Sequence, residues 1–110
     1  MRIRKKPVKR LIQQMVRRLV KQFDPDQIVL FGSQARGTAG PDSDVDLLVI
    51  TSFTGSKRDK EVAMRVAVHD FDVPTDIIVV TPDEVKRRSH IPGTIIRPAL
   101  LEGKVLYVRG

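Results

Sequence analysis

The sequence predicts one small α/β domain, a mixed sheet of about four short strands flanked by helices. Three observations carry this reading: an apolar stripe at helical spacing near the N-terminus, several short β-branched runs separated by helical patterns, and a length of 110 residues, which suits a single core. With 41% hydrophobic and 30% charged residues, the chain has enough apolar surface for a packed interior and too much to read as disordered.

Between Pro7 and Phe23, residues Val8, Leu11, Ile12, Met15, Val16, Leu19, Val20 and Phe23 recur at the three- and four-residue spacing of one helix face. Pro7 suits the first turn, where no backbone N–H bond is lost, and Asp24-Pro25 ends the helix. Gln27 to Phe31 reads as a buried strand that stops at Gly32. Ser33 to Gly40 gives a polar helical turn and a loop, and Asp44 to Thr51 a second strand. After a loop at Ser52 to Ser56, Lys57 to Phe71 reads as a helix with Val62, Ala63, Val66 and Ala67 turned inward. Pro74 to Val80 is a third strand, and Thr81-Pro82-Asp83-Glu84 is a capping box that opens a short helix ending near Ser89. Ile91-Pro92-Gly93 connects to a last helix over Thr94 to Glu102, in which Pro98 fits only the first turn. Gly103 stops that helix, and Lys104 to Val108 forms a fourth strand. With no repeat or internal boundary, residues 1–110 read as one unit, a basic helical region at 1–23 followed by a core at 27–108.

Several function classes are excluded early. The absence of cysteine removes disulfide frameworks, thiolate zinc sites and thiol nucleophiles, and points to the cytoplasm. No strictly apolar run exceeds four residues, as in Ile28 to Phe31 and Leu47 to Ile50, so neither a membrane span nor secretion is expected. The net charge of +7 lies entirely in Met1 to Phe23, which holds nine basic residues and no acidic one, while the remainder is −2. That basic side reads as a contact for an acidic partner surface, with a solvated face as the alternative. None of the few aromatic residues is interleaved with the basic run, so base stacking there is poorly supported. Phosphate attraction would still give salt-dependent binding of nucleic acid. His69 and His90 stand alone, without partners at metal-ligand spacing, and read as surface or cap residues.

The informative stretch is Gly32-Ser33, ten residues, then Asp44-Val45-Asp46. On a strand, Asp44 and Asp46 point to one face while Val45 and Leu47 point to the other. Two carboxylates so close repel, and a bound cation relieves the repulsion. Oxygen-only ligands favour Mg²⁺, completed by water and substrate phosphates. Gly32 permits close backbone approach, and Ser33 adds a hydroxyl beside N–H groups, which together make an anion cradle. Asp76 joins the pair if the third strand lies beside the second. With Arg36 nearby, the set forms a two-metal phosphoryl-transfer site. Taken singly, each Asp is explained by a turn or strand end. The joint Gly-Ser-Asp-Asp pattern arises by chance in about one chain in a thousand at ordinary residue usage.

These residues, together with Asp76 in PTDIIVVTPDE and the ending Glu102-Gly103-Lys104-Val105-Leu106-Tyr107, resemble the minimal nucleotidyltransferases (MntA-like antitoxins) of the DNA polymerase beta superfamily. The resemblance covers most of the chain, and all three carboxylates of the family pattern are present. It implies that Asp44 and Asp46 hold Mg²⁺, two ions being the family arrangement, and that Asp76 contacts metal or activates the attacking hydroxyl. It assigns Gly32 and Ser33 to the β and γ phosphates, with Arg36 and Ser43 as further phosphate contacts. The implied reaction moves a nucleoside monophosphate, AMP if ATP is the NTP, to an acceptor hydroxyl with release of pyrophosphate. The resemblance also implies a partner, a helical HEPN ribonuclease toxin that the transferase AMPylates and silences within a hetero-oligomer. A chain of about 110 residues leaves no room for a domain that holds the acceptor. The alternatives are a binding module that neutralises its partner sterically, and a transferase acting on a nucleic-acid end or a small molecule.

Overall fold

Short strands rich in β-branched residues bury their apolar side chains only by pairing, and here four of them form one mixed sheet. The structure, a computed structural model, describes residues 7–40, 43–88, 99 and 101–110. Its elements are α1 (Val8–Phe23), β1 (Gln27–Phe31), α2 (Ser33–Arg36), β2 (Val45–Ile50), α3 (Lys57–Ala67), β3 (Thr75–Val80), α4 (Pro82–Arg88) and β4 (Lys104–Val108). The strand order is β3-β2-β1-β4. β1 runs antiparallel to both β2 and β4. β2 and β3 are parallel, which requires a crossover, and α3 provides it. β1 and β4 occupy the expected residues, and β2 and β3 begin one residue later than expected. The expected connection at Ile91-Pro92-Gly93, His90, Pro98 and the N-terminal cations Arg2, Arg4, Lys5 and Lys6 lie outside the described residues. Of the expected last helix, Ala99, Leu101 and Glu102 are helical.

Alternation along the strands divides the core in two. Ile28, Leu30, Val45, Leu47, Val49, Ile77 and Val79 pack on one face against Leu11, Ile12, Met15, Val16 and Leu19 of α1 and Met64 of α3. Val29, Leu48, Ile50, Val80 and Ala99 pack on the other. β1 and β2 are covered on both faces, which is why their sequences are continuous apolar runs. Asp24 closes α1 in the left-handed region at φ 47°, its N–H bonded to the Val20 carbonyl at 3.0 Å. Arg18 ties α1 to the end of α3. It pairs with Asp70, donates to the Ala67 carbonyl at 3.0 Å and lies 4.5 Å from the Phe71 ring centre. Its hydrogen bond holds the Asp70 carboxyl below its ordinary range.

The inward face of α3 differs from expectation. Met64 and Val68 are buried and Ala67 half-buried, whereas Ala63 is exposed and Val62 and Val66 are 42% and 59% exposed. The rotation follows from Glu61, whose Oε2 accepts the Val79 backbone N–H of β3 at 2.9 Å. Anchoring Glu61 there satisfies that strand N–H and turns the line through Met64 and Val68 toward the sheet. The helix also ends at Ala67, four residues before Phe71, in turns closed by the Val68 and His69 N–H groups.

The capping box at Thr81 forms as expected: Glu84 N–H donates to Thr81 Oγ1 at 3.1 Å, and Glu84 Oε1 accepts the Thr81 N–H at 3.3 Å. Glu84 Oε2 also accepts Lys57 Nζ at 2.9 Å. Burial alone would raise the Glu84 pKa, but Lys57, the Thr81 N–H and the Arg88 charge together lower it. A carboxyl lowered in the folded state stabilises the fold above its unfolded pKa of 4.5 and loses that contribution as pH falls through the lowered folded value. Glu84→Gln should therefore lower the melting temperature at pH 7 and flatten the loss of stability between pH 5 and 3, read by circular dichroism melts. Among the described residues, no helix is long and apolar enough to cross a membrane.

Candidate active site

The sheet topology brings three strand ends together. The parallel register sets Asp46 of β2 beside Asp76 of β3, and the antiparallel register sets Phe31 of β1 opposite Asp46, with Gly32 next along the chain. By strand alternation, Asp46 and Asp76 share the face of Val29, Leu48, Ile50 and Val80, away from α1. Asp44 is exposed just ahead of β2, and its charge acts on Asp46. The condition set by the sequence, that β3 lie beside β2, is met.

Gly32 makes the close approach possible. It holds φ 74° and ψ −157°, a conformation costly for any residue with a Cβ. A Cβ placed there would lie 2.3 Å from Asp46 Oδ2. The Gly32 carbonyl accepts the Ala35 and Arg36 N–H groups at 3.1 Å, so Ser33 opens α2 next to the carboxylates. Gly32→Ala should push the Asp46 carboxylate aside and destabilise the fold by about 1–3 kcal/mol, with loss of nucleotide binding in calorimetry.

The other predicted residues stand around this centre. Arg36, in the last turn of α2, opposes the Asp46 shift electrostatically, and its Nη1 is 3.7 Å from Glu102 Oε2. Both side chains are half exposed or more, so the pair is weak and leaves the guanidinium available to an anion. Ser43 Oγ accepts the Gly40 N–H at 2.8 Å and its carbonyl accepts Gln34 Nε2 at 3.4 Å. Its hydroxyl thus shapes the loop while keeping its own hydrogen to donate. Asp76 Oδ1 accepts Arg65 Nη1 of α3 at 3.3 Å. Neither Arg65 nor Glu102 was singled out as a site residue from the sequence, because their neighbours in space are remote in the chain.

Electrostatics indicate what this centre accepts. Asp46 is raised above its ordinary carboxyl value, first by burial, then by the charges of Asp76 and Asp44, with Arg36 acting the other way. Crowded carboxylates of this kind favour a divalent cation with oxygen ligands. Among the described residues, no three carboxylate or imidazole groups already enclose one ion. Asp76 is instead turned to Arg65. That pair is solvent-accessible on both sides and weak, so Asp76 can exchange it for a cation at small cost.

Comparison with known proteins identifies the family. The nucleotidyltransferase domain family matches residues 10–104. A Methanocaldococcus jannaschii protein, provisionally named a protein adenylyltransferase, is 32% identical over 94% of this chain and 74% of its own length. Three solved structures share the fold. A provisionally named nucleotidyltransferase of Sulfolobus solfataricus has a TM-score of 0.63 at 20% identity, covering 91% of this chain and 79% of its own. A toxin-antitoxin complex with AMP-PNP has 0.53 at 19% identity, covering 88% and 73%. A mutant of the MntA-HpeT toxin-antitoxin pair scores 0.56 at 19% identity, covering 89% and 72%. By the family match and the archaeal relative, the chain belongs to the nucleotidyltransferase domain family and is an enzyme of that class.

Proposed function

We propose that the chain transfers AMP from ATP to a hydroxyl of a helical HEPN-type toxin and thereby acts as its antitoxin. The observation that carries this reading is the register pairing of Asp46 with Asp76 beside the Gly32-Ser33 turn. ATP is supported by the name of the archaeal relative and by the AMP-PNP in one fold neighbour, and a toxin partner by the toxin-antitoxin neighbours. The HEPN identity rests on the family resemblance.

In this mechanism the acceptor oxygen attacks the α-phosphorus, the bond to the bridging oxygen breaks, and pyrophosphate leaves. Asp44 and Asp46, joined by Asp76, would hold Mg²⁺, which when bound neutralises the triphosphate and aligns nucleophile and leaving group. The Asp76 carboxylate, freed from Arg65, would contact the metal or take the acceptor's proton. Gly32 and Ser33 hold the β and γ phosphates through backbone and hydroxyl. Arg36 and Ser43 add a cation and a donor from the flanking loop.

Mass spectrometry of the toxin after co-expression tests this. The reading expects AMP on a side-chain hydroxyl of the toxin, absent with Asp44→Ala/Asp46→Ala. If that double variant still neutralises toxicity, the protein acts sterically and the catalytic reading of its antitoxin role fails.

A further inference from the structure

A second feature lies on the opposite face of the sheet. α1 and β4 leave between them an open groove of about 610 Å³, floored by Ile12, Val16 and Val20 from the helix and by Leu106 and Tyr107 from the strand. Leu106 and Tyr107 pack with the α1 and α3 cluster, so the groove faces away from Asp46. β4 is an edge of the sheet, and its Val105 and Val108 are 56% and 59% exposed. The other edge differs, since Glu61 already takes a β3 N–H.

Charge identifies the occupant. Arg10, Gln13, Arg17 and Lys21 form one exposed stripe along α1, with Arg17 and Lys21 on the groove's rim and no carboxylate in its lining. Arg18, turned inward, is paired with Asp70. Among the described residues, Arg10, Arg17 and Lys21 meet no carboxylate. A second copy docked across β4 would set these like charges against each other. A nucleic acid would find an apolar floor where phosphates need donors.

We propose that the α1–β4 groove docks an acidic amphipathic segment of a partner protein, apolar side chains on the floor and carboxylates against Arg17 and Lys21. The inference rests on the proposed function only in taking the partner to be a protein. It adds that docking and catalysis use opposite faces of one sheet. The two faces meet at the β4 edge, where Lys104 pairs with Leu30, two residues before Gly32. A partner gripped there leaves the carboxylates open and reaches their end of the sheet.

The test uses the full chain and fluorescence anisotropy with four probes: an amphipathic Leu/Glu helical peptide, its Leu/Lys counterpart, single-stranded RNA and single-stranded DNA. The acidic peptide should bind in preference to the other three. Its affinity should fall about tenfold or more in Arg17→Glu/Lys21→Glu and in Val105→Asp, all at exposed positions, with melting temperatures unchanged. Asp44→Ala/Asp46→Ala should bind it as tightly as the parent. The proposal is overturned if the acidic peptide shows no preference, if its binding ignores the groove substitutions, if the nucleic acids bind more tightly, or if light scattering shows a dimer that Val105→Asp dissolves. Peptide binding without AMP transfer would sink only the proposed function, and AMP transfer without groove dependence only this inference.

Discussion

Replacing Asp46 with Asn is expected to abolish nucleotide transfer and, in metal-free buffer at pH 7, to raise the melting temperature. Both effects have one source. Asp46 is half-buried beside Asp76 and Asp44, so its ionised form is disfavoured by burial and by repulsion. A carboxyl whose folded pKa is raised makes no difference to stability below its unfolded value of 3.8, where both states are protonated. Above that value its ionisation favours the unfolded chain, and the loss is complete once pH passes the folded value. The amide keeps the shape and removes the charge, so the gain in stability should be present at pH 7 and vanish near pH 3. The same amide is a poor ligand for a hard cation, and transfer should fall about a thousandfold or more. Added Mg²⁺ should raise the melting temperature of the parent and leave Asp46→Asn unmoved. A lower melting temperature for the variant in metal-free buffer would contradict the repulsion argument, whatever its activity.

Gly103→Ala should be the most damaging small substitution away from the carboxylates. Its Cβ would lie 2.1 Å from the Ala99 carbonyl oxygen, 2.6 Å from Val29 Cγ1 and 2.8 Å from the Leu30 carbonyl oxygen. Two of these three are backbone atoms held by pairing: the Gly103 N–H bonds to the Ala99 carbonyl at 2.9 Å, and Leu30 pairs with Lys104. The Leu30 carbonyl cannot move without disturbing the β1–β4 pairing. Gly32→Ala, by contrast, meets the end of one carboxylate side chain, which can rotate. Overpacking against fixed backbone should destabilise by about 3 kcal/mol, a fall of about 10–20 °C in melting temperature for a domain of this size. An unchanged melting curve would mean that the β1–β4 junction is looser than its contacts indicate.

Much of this was legible in the sequence because it was encoded locally. β1 lies between Pro25 and Gly32, and β4 begins just after Gly103, so residue type alone marks these ends. The Gly-Ser turn and the Asp44/Asp46 pair follow from short-range spacing in the chain. The proximity of Asp76 was legible only conditionally, since it depends on which strands become neighbours. The face of α3 was not legible, because Val62 and Val66 compete with Met64 and Val68 for the inward side. The choice is made by Glu61 bonding to a strand that begins only at Thr75. Arg65 and Glu102 escaped for the same reason, each meeting its partner through packing of distant segments. The basic segment was read correctly as charge, but its division into an inward Arg18 and an outward stripe needed the helix in place.

The central claim is that the Asp46–Asp76 pair beside Gly32-Ser33 is the centre of nucleotidyl transfer. It is tested most directly by incubating the protein and the proposed toxin partner with Mg²⁺ and ATP carrying the label on either the α or the γ phosphate. The account predicts label on the toxin from α-labelled ATP only, release of the γ label as pyrophosphate, and neither with Asp46→Asn. Label transferred from the γ position, or transfer that survives Asp46→Asn, would contradict it.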